Sequence, residues 1–124
     1  MTVVLNHMIV RARDQDRAAQ FLADLLGLTV GARTGPFTPV RVNPDLTLDF
    51  DGRGAVLPGH FAFLVDDDTF DQVVARLWAR PDVPYGSGPE HGWDRTISHA
   101  AGGRGVYVGD PDGHSYEFFT TVPL

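Results

Sequence analysis

Two amphipathic helices, each following a strand-like segment, dominate the pattern of apolar and polar positions along the chain. The first is predicted to run from an acidic start at Asp14 or Asp16 to a stop at Gly27, with apolar residues at helical spacing. The second follows three consecutive aspartates, residues 66–68, and shows the same spacing. The first helix has Ala18, Phe21, Leu22 and Leu25 on one face. The apolar stripe of the second helix is predicted to be core, and its members are Phe70, Val73, Val74, Leu77 and Trp78.

Short alternating apolar runs predict strands before and after each helix, separated by Gly-Pro and Asn-Pro-Asp turn signals. Residues 81–105 are rich in Pro, Gly and His and are too long for a simple turn. Because long loops in compact domains are often functional, this loop is predicted to contribute substrate contacts. The predicted strands are residues 3–11, 29–33, 38–42, 46–51, 59–65, 104–109 and 114–120.

The order of these elements repeats along the chain. His7 near the start of the first strand is echoed by His60, 53 residues later, and an acidic helix start follows both. Two copies indicate a pair of modules, since a solenoid would need more repeats. We therefore predict one α+β domain made of two β-α-β-β-β modules, about residues 1–53 and 54–124.

Composition narrows the functional classes. The chain has 124 residues, 43% of them apolar, which suffices for one core, and it has no cysteine for disulfides or thiolate metal sites. All ten basic residues are Arg and the net charge is −6, which argues against binding nucleic acid or an anionic membrane. The apolar stretch near the N-terminus is short and interrupted by Asn6 and His7. It predicts neither a signal peptide nor a membrane span, so a cytoplasmic protein is expected.

Three polar side chains near the C-terminus carry candidate chemistry. His99, Tyr107 and Glu117 supply an imidazole, a phenol and a carboxylate. Strand alternation places Tyr107 opposite in phase to its two apolar neighbours, so that several polar groups can point into one cavity. Between Tyr107 and Glu117, the Asp-Pro-Asp-Gly sequence at residues 110–113 predicts a hairpin turn, with His114 as a solvated turn residue.

A metal site follows from combining these observations. His7 and His60, at matching positions of the two modules, together with Glu117 provide two imidazoles and one carboxylate. A glutamate between Tyr116 and Phe118 on a strand is costly to bury without a charged partner. Such a set can hold a divalent metal on one face and leave about three positions for water, substrate and dioxygen. Iron(II) is the typical occupant, and zinc, manganese or nickel would also accept these ligands.

The repeated module order, with His7, His60 and Glu117 in these places, resembles the vicinal oxygen chelate superfamily over essentially the whole chain. This resemblance implies curved mixed sheets that surround a metal-binding cavity. That superfamily includes glyoxalases, bleomycin-binding proteins, thiol transferases that inactivate fosfomycin, and extradiol dioxygenases. Within it, residues 97–117 resemble the extradiol dioxygenase signature. Its fixed positions are matched by Ile97, His99, Val106, Tyr107, Asp110, Pro111, Gly113 and Glu117.

The extradiol resemblance implies an iron(II)-dependent dioxygenase that acts on a small catecholic or other vicinal-oxygen substrate. The substrate would chelate iron held by His7, His60 and Glu117, and dioxygen would occupy an adjacent position. By similarity, Tyr107 would hydrogen-bond the bound substrate oxygen and His99 would assist it.

Other activities of the superfamily remain as alternatives. A glyoxalase-type lyase or isomerase would add a carboxylate of the first module to the metal, and Asp49 lies in about the corresponding place. A bleomycin-resistance-like protein would bind an antibiotic or other small molecule without metal. The absence of lysine counts against the phosphonate contacts of a fosfomycin-type enzyme. Extradiol enzymes usually carry a further histidine before the second metal ligand; residues 44–59 contain none, and His91 is a candidate substitute.

Strand phase and loop position also predict which residues contact the substrate, namely Ile9, His91, Trp93, Arg95 and Phe119.

The edges of half-open modules usually require a partner, so a homodimer is expected. If the modules pair between chains, His7 comes from the other subunit.

Overall fold

The computed structural model of the chain describes residues 2–122 and divides into two compact units, residues 1–57 and 58–124. The first unit comprises β1 (His7–Arg11), α1 (Gln15–Leu26), β2 (Thr38–Arg41) and β3 (Thr47–Asp51). The second comprises β4 (His60–Leu64), α2 (Asp67–Trp78), β5 (Tyr85–Gly86), β6 (Gly105–Gly109) and β7 (Ser115–Phe119), with short 3-10 turns at Pro89–His91 and Ala100–Gly102.

Both helices begin at the aspartates that the sequence indicates. The Asp14 side chain accepts a hydrogen bond from the backbone N–H of Arg17, and Asp66 caps α2 through Thr69 in the same way. Gly27 ends α1 in the left-handed conformation, with φ of 68°, which glycine adopts without steric cost. No helix within residues 2–122 is long and apolar enough to cross a membrane.

The predicted core stripe of α2 is confirmed except at its end. Phe70, Val73, Val74 and Leu77 are buried, whereas Trp78 is 69% exposed, so its prediction as core is wrong. Trp78 is the last residue of the helix and lies roughly 80° around the helix axis from Phe70, at the margin of the buried face.

The first unit contains a three-stranded mixed sheet in the order β1-β3-β2, with β1 parallel and β2 antiparallel to β3. The strand predicted at residues 29–33 is wrong, because the chain there makes only a single bridge, between Val30 and Val40. Gly31 donates to the Pro39 carbonyl, but Pro39 has no N–H to donate back, so the ladder does not extend. The buried apolar side chains of this sheet are Val10, Val40, Leu48 and Phe50.

The second unit contains a four-stranded mixed sheet in the order β4-β7-β6-β5, with β4 parallel to β7 and the other pairs antiparallel. This unit has the predicted β-α-β-β-β order, although β5 has only two residues and lies inside the predicted loop. Besides the buried residues of α2, its core contains alternate residues of two strands, namely Val106, Val108, Tyr116 and Phe118. Two open mixed sheets, each with one helix in the described chain, confirm the α+β prediction.

The predicted repeat extends to strand register. In the first unit Ile9 pairs with Asp49, two residues after His7. In the second unit Ala62 pairs with Glu117, two residues after His60. Asp49 therefore occupies in the first sheet the position that Glu117 occupies in the second.

Candidate metal centre and substrate cavity

The candidate site lies on the open face of the second sheet, the face opposite its buried side chains. Tyr107 on β6 and Glu117 on β7 are direct cross-strand partners. On β4, Ala62 pairs with Glu117, and His60 lies two residues before Ala62. Since alternate residues of a strand share a face, the imidazole, phenol and carboxylate all project from the same side.

These three side chains contact one another. His60 Nε2 lies 3.0 Å from Glu117 Oε1, with the imidazole half exposed and the carboxylate 13% exposed. The rings of His60 and Tyr107 stack with centroids 5.7 Å apart. Burial raises the pKa of the Tyr107 phenol, and the charge and hydrogen bond of Glu117 raise it further. The phenol is therefore held in its protonated, hydrogen-bond-donating form.

Two cavities border this cluster. The larger, about 500 Å³, has a mostly apolar lining to which the sheet contributes His60 and Tyr107, and the loop before β6 contributes Pro89 and Trp93. The smaller, about 260 Å³, is more polar and is lined by residues that include Tyr107, Glu117, Phe119 and His91. Tyr107 lines both cavities, so a ligand in either one can contact it.

The loop wall of the larger cavity is held by one carboxylate. Asp94 accepts hydrogen bonds from the backbone N–H and the hydroxyl of Ser87 and from the backbone N–H of Thr96. These bonds, above all that of the Ser87 hydroxyl, lower the pKa of Asp94 to about 2. A side chain at Gly86 would collide with the carbonyl of Gly92, so glycine is required for this close approach. The sequence reasoning missed Ser87 and Asp94.

Trp93 and Arg95, both predicted substrate contacts, differ in their placement. Trp93 lines the larger cavity and packs its ring on Gly109, where an added Cβ would come within 3.1 Å. The Arg95 guanidinium instead lies 4.4 Å from the ring centroid of Tyr85 and donates to the carbonyl of Val83. Arg95 lines neither cavity, and its contacts hold the loop against the unit's own framework.

His99, predicted to assist Tyr107, is exposed and lines neither cavity. It directly precedes the 3-10 turn Ala100–Gly102, whose Ala100 and Ala101 do line the smaller cavity. The structure thus brings Tyr107, but not His99, into contact with the two candidate ligands.

The remaining predicted site residues belong to the first unit. His7 is exposed, with Nδ1 2.9 Å from the Asn6 side-chain oxygen, and Ile9 is 44% exposed on the same strand face. Asp49 is half-buried and pairs with Ile9. Within residues 2–122 no three His, Cys, Asp or Glu side chains lie close enough together to hold a metal. Of the predicted triad, His60 and Glu117 are brought together.

His114 differs from its prediction as a solvated turn residue, since it is only 2% exposed. Its Nδ1 accepts a hydrogen bond of 2.8 Å from the backbone N–H of Gly59, and its ring meets Phe61 edge-on. The tight turn directs the residue after Gly113 inward, where the imidazole accepts the hydrogen bond of a partly buried N–H. In the sequence, the signal for this role is a histidine one residue before a strand.

A paired-module α+β fold with a His-Glu-Tyr cluster beside an apolar cavity defines the class of the protein. The chain belongs to the glyoxalase/bleomycin resistance protein/dioxygenase superfamily, whose family model matches residues 4–118. Among solved structures it is similar to oxidase ChaP-H2, at 45% identity and TM-score 0.89 over 99% of this chain and 97% of that one. It is similar to oxidase ChaP-H1 at 47% identity and TM-score 0.88 over 98% of each chain.

A more distant structure shares only the fold. The fosfomycin resistance protein FosX from Mesorhizobium loti is 21% identical, with TM-score 0.71 over 98% of this chain and 95% of that one. No curated protein matches the chain by sequence.

Proposed function

We propose that the protein is a metal-dependent oxidoreductase of the dioxygenase type, which uses iron(II) and dioxygen to oxidise a small substrate with adjacent oxygens, such as a catechol. The observation that carries this proposal is the contact of His60, Glu117 and Tyr107 at the border of an apolar cavity of about 500 Å³. Identity of 45% and 47% to two proteins described as oxidases supports oxidative chemistry over the other reactions of the superfamily.

The residues present fit a divalent metal. Two ligand atoms at right angles, each about 2.1 Å from a metal, lie about 3 Å apart. His60 Nε2 and Glu117 Oε1 are separated by 3.0 Å, which is the spacing of two ligands of one ion. We propose His7 as the third ligand, because it occupies in β1 the position that His60 occupies in β4. Zinc, manganese and nickel remain alternatives to iron.

The chain's own residues then have separate roles. The metal, when bound, would lower the pKa of the substrate hydroxyl and hold substrate and dioxygen side by side. Tyr107 donates a hydrogen bond to the substrate oxygen that lies beside Glu117, and its raised pKa keeps that proton in place. Pro89 and Trp93 form the apolar wall that excludes water from the substrate. His91 and Phe119 line the adjoining smaller cavity.

Metal content tests the proposal. Protein purified without a metal-affinity tag should contain near-stoichiometric iron, and Glu117→Gln should lose most of it while staying folded, because a neutral amide is a much weaker ligand. His60→Ala should lose it as well. Elemental analysis measures occupancy, and circular dichroism checks the fold. Unchanged metal in the folded Glu117→Gln protein would contradict the assignment.

Asp49→Asn is the matched control, because it alters the carboxylate at the equivalent register position. A dioxygenase-type site predicts that this variant keeps its metal. A glyoxalase-type lyase or isomerase, the alternative that the position of Asp49 favours, predicts loss of metal in both variants. Oxygen uptake with a panel of catechols, after anaerobic iron(II) loading, tests the reaction itself. The absence of oxygen uptake with every catechol of the panel would favour the isomerase or a metal-free binding protein.

A further inference from the structure

His114 joins the two segments that carry the candidate metal ligands, although it lines neither of the two cavities described above. Gly59, whose N–H it binds, immediately precedes His60, and His114 itself lies three residues before Glu117. The Ser115 N–H donates in turn to the Gly59 carbonyl at 2.9 Å. Both hydrogen-bonding groups of Gly59 are therefore tied to the start of β7.

The hydrogen bond defines the state of the imidazole. Because Nδ1 accepts the Gly59 N–H, it must be unprotonated, so the acceptor function belongs to one particular ring atom. The surroundings fix the ring: His114 is 2% exposed and meets Phe61 edge-on, with ring centroids 5.6 Å apart. A rotation of the ring would leave the partly buried Gly59 N–H without this acceptor, which is costly.

The turn before β7 holds His114 from the other side. The Asp110 carboxylate accepts hydrogen bonds from the backbone N–H groups of Asp112 and His114, at 2.9 and 2.7 Å. The Asp110 N–H donates to the His114 carbonyl. The backbone of His114 is thus anchored to the turn while its side chain is anchored to Gly59, and the position of one end constrains the other.

We propose that His114 is a positioning residue, whose Nδ1 fixes the backbone at Gly59 and thereby aims His60 at Glu117. The inference rests on the proposed metal site. Without the Gly59 bond, the start of β4 gains freedom and the His60 imidazole samples orientations that leave the carboxylate. Groups that orient metal ligands in this way typically change metal affinity about 10- to 100-fold when removed.

Three substitutions separate this role from general packing. Asn places its side-chain oxygen near the position of His Nδ1, whereas Gln places it near Nε2, and Phe keeps a ring without any acceptor. Cobalt(II) affinity, measured by competition with a chromophoric chelator, is the readout, and thermal unfolding of the metal-free proteins is measured in parallel. We expect H114F and H114Q to bind cobalt at least about 10-fold more weakly and H114N to stay close to the unsubstituted protein.

The outcomes separate failure of this inference from failure of the proposed function. If the unsubstituted protein binds no cobalt, the proposed metal site itself fails. If it binds cobalt and H114Q binds equally well, or if affinity simply follows the unfolding temperature across the variants, the positioning role is overturned. Should H114F not fold, the comparison of H114N with H114Q still decides. An H114N protein that does not fold would also overturn the inference, because an acceptor at the Nδ1 position would then be insufficient.

Discussion

At the scale of single residues, Asp51 in the first unit is a buried charge with several hydrogen-bond partners. Its side chain is fully buried, yet it accepts hydrogen bonds from Arg11 at 2.8 Å and from the side chain and backbone of Arg53 at 3.0 Å. The Arg53 bonds contribute most to lowering the pKa of Asp51 to about 2. A buried carboxylate persists because its oxygens are matched by positive donors, and removal of the partners would leave an uncompensated charge.

This carboxylate should govern part of the acid sensitivity of the protein. An unfolded Asp has a pKa of about 3.9, so between about pH 4 and pH 2 the unfolded state binds more protons than the folded state. The stabilisation by Asp51 is therefore complete above about pH 4 and is lost as the pH falls towards 2. We expect Asp51→Asn to lower the urea concentration at the midpoint of unfolding at pH 7. Between pH 4 and pH 2 this midpoint should fall less steeply than in the unsubstituted protein.

Urea unfolding followed at several pH values measures this effect. The exposed Asp45 lies in the same unit, and Asp45→Asn should keep the pH profile of the unsubstituted protein. An acid limb of equal steepness in the Asp51→Asn protein would show that this carboxylate does not control it.

At the scale of elements, the loop between β5 and β6 depends on a staple formed by Asp94 and Ser87. Two backbone N–H groups and one hydroxyl converge on that carboxylate, seven residues from the hydroxyl along the chain. Trp93, adjacent to Asp94, lines the larger cavity. The staple therefore determines where the apolar wall of the cavity lies.

We predict that Asp94→Asn loosens this wall, because an amide accepts these hydrogen bonds less strongly than a carboxylate does. In a Trp78→Phe background, Trp93 is the single tryptophan, and acrylamide should quench its fluorescence more strongly after the substitution. In turnover, KM should rise more than kcat falls, since substrate packing is affected before the chemistry. The matched control is Asp82→Asn, which alters an exposed pair with Arg80. Equal quenching of the Asp94→Asn and Asp82→Asn proteins would contradict the prediction.

The elements show why some features follow from sequence and others do not. Both helices have aspartate caps and long periodic faces, so local chemistry defines them. The side-chain contact of His60 with Glu117 agrees with the alternation of the two strands, which places both residues on one face. The strand predicted at residues 29–33 does not form because its pairing partner is a proline, which has no N–H. That pairing depends on a strand register that the sequence does not reveal. The hydrogen bonds between Ser87 and Asp94 and the inward position of His114 likewise depend on how the chain folds back on itself. No periodic sequence pattern predicts such contacts.

At the scale of the whole molecule, charge is distributed unequally between the two units. Residues 1–57 contain six arginines and six aspartates, whereas residues 58–124 contain four arginines and ten acidic residues. The whole net charge of −6 therefore belongs to the second unit, which also contains His60 and Glu117. The net negative charge of this unit attracts divalent cations and counts against an anionic partner such as nucleic acid.

The strands that carry the two matching histidines are both edges of their sheets. β1 ends the order β1-β3-β2, and β4 ends the order β4-β7-β6-β5. Each also exposes a large apolar side chain, Ile9 on β1 and Leu64 on β4. Because unpaired edges with apolar side chains are usually covered, we expect the protein to form a homodimer, measurable by light scattering.

A mixing experiment then decides whether His7 serves its own chain or a second copy. His7→Ala and Glu117→Gln proteins, each expected to bind little metal, are unfolded together and refolded as a mixture. If His7 acts on the second copy, each mixed dimer has one intact site, and random exchange should restore about a quarter of the metal sites. We expect this restoration, because a dimer that covers β1 of one copy brings His7 to the other. Mixed dimers that form, as shown by two distinct affinity tags added for this test, and that still bind no metal would place all ligands within one chain.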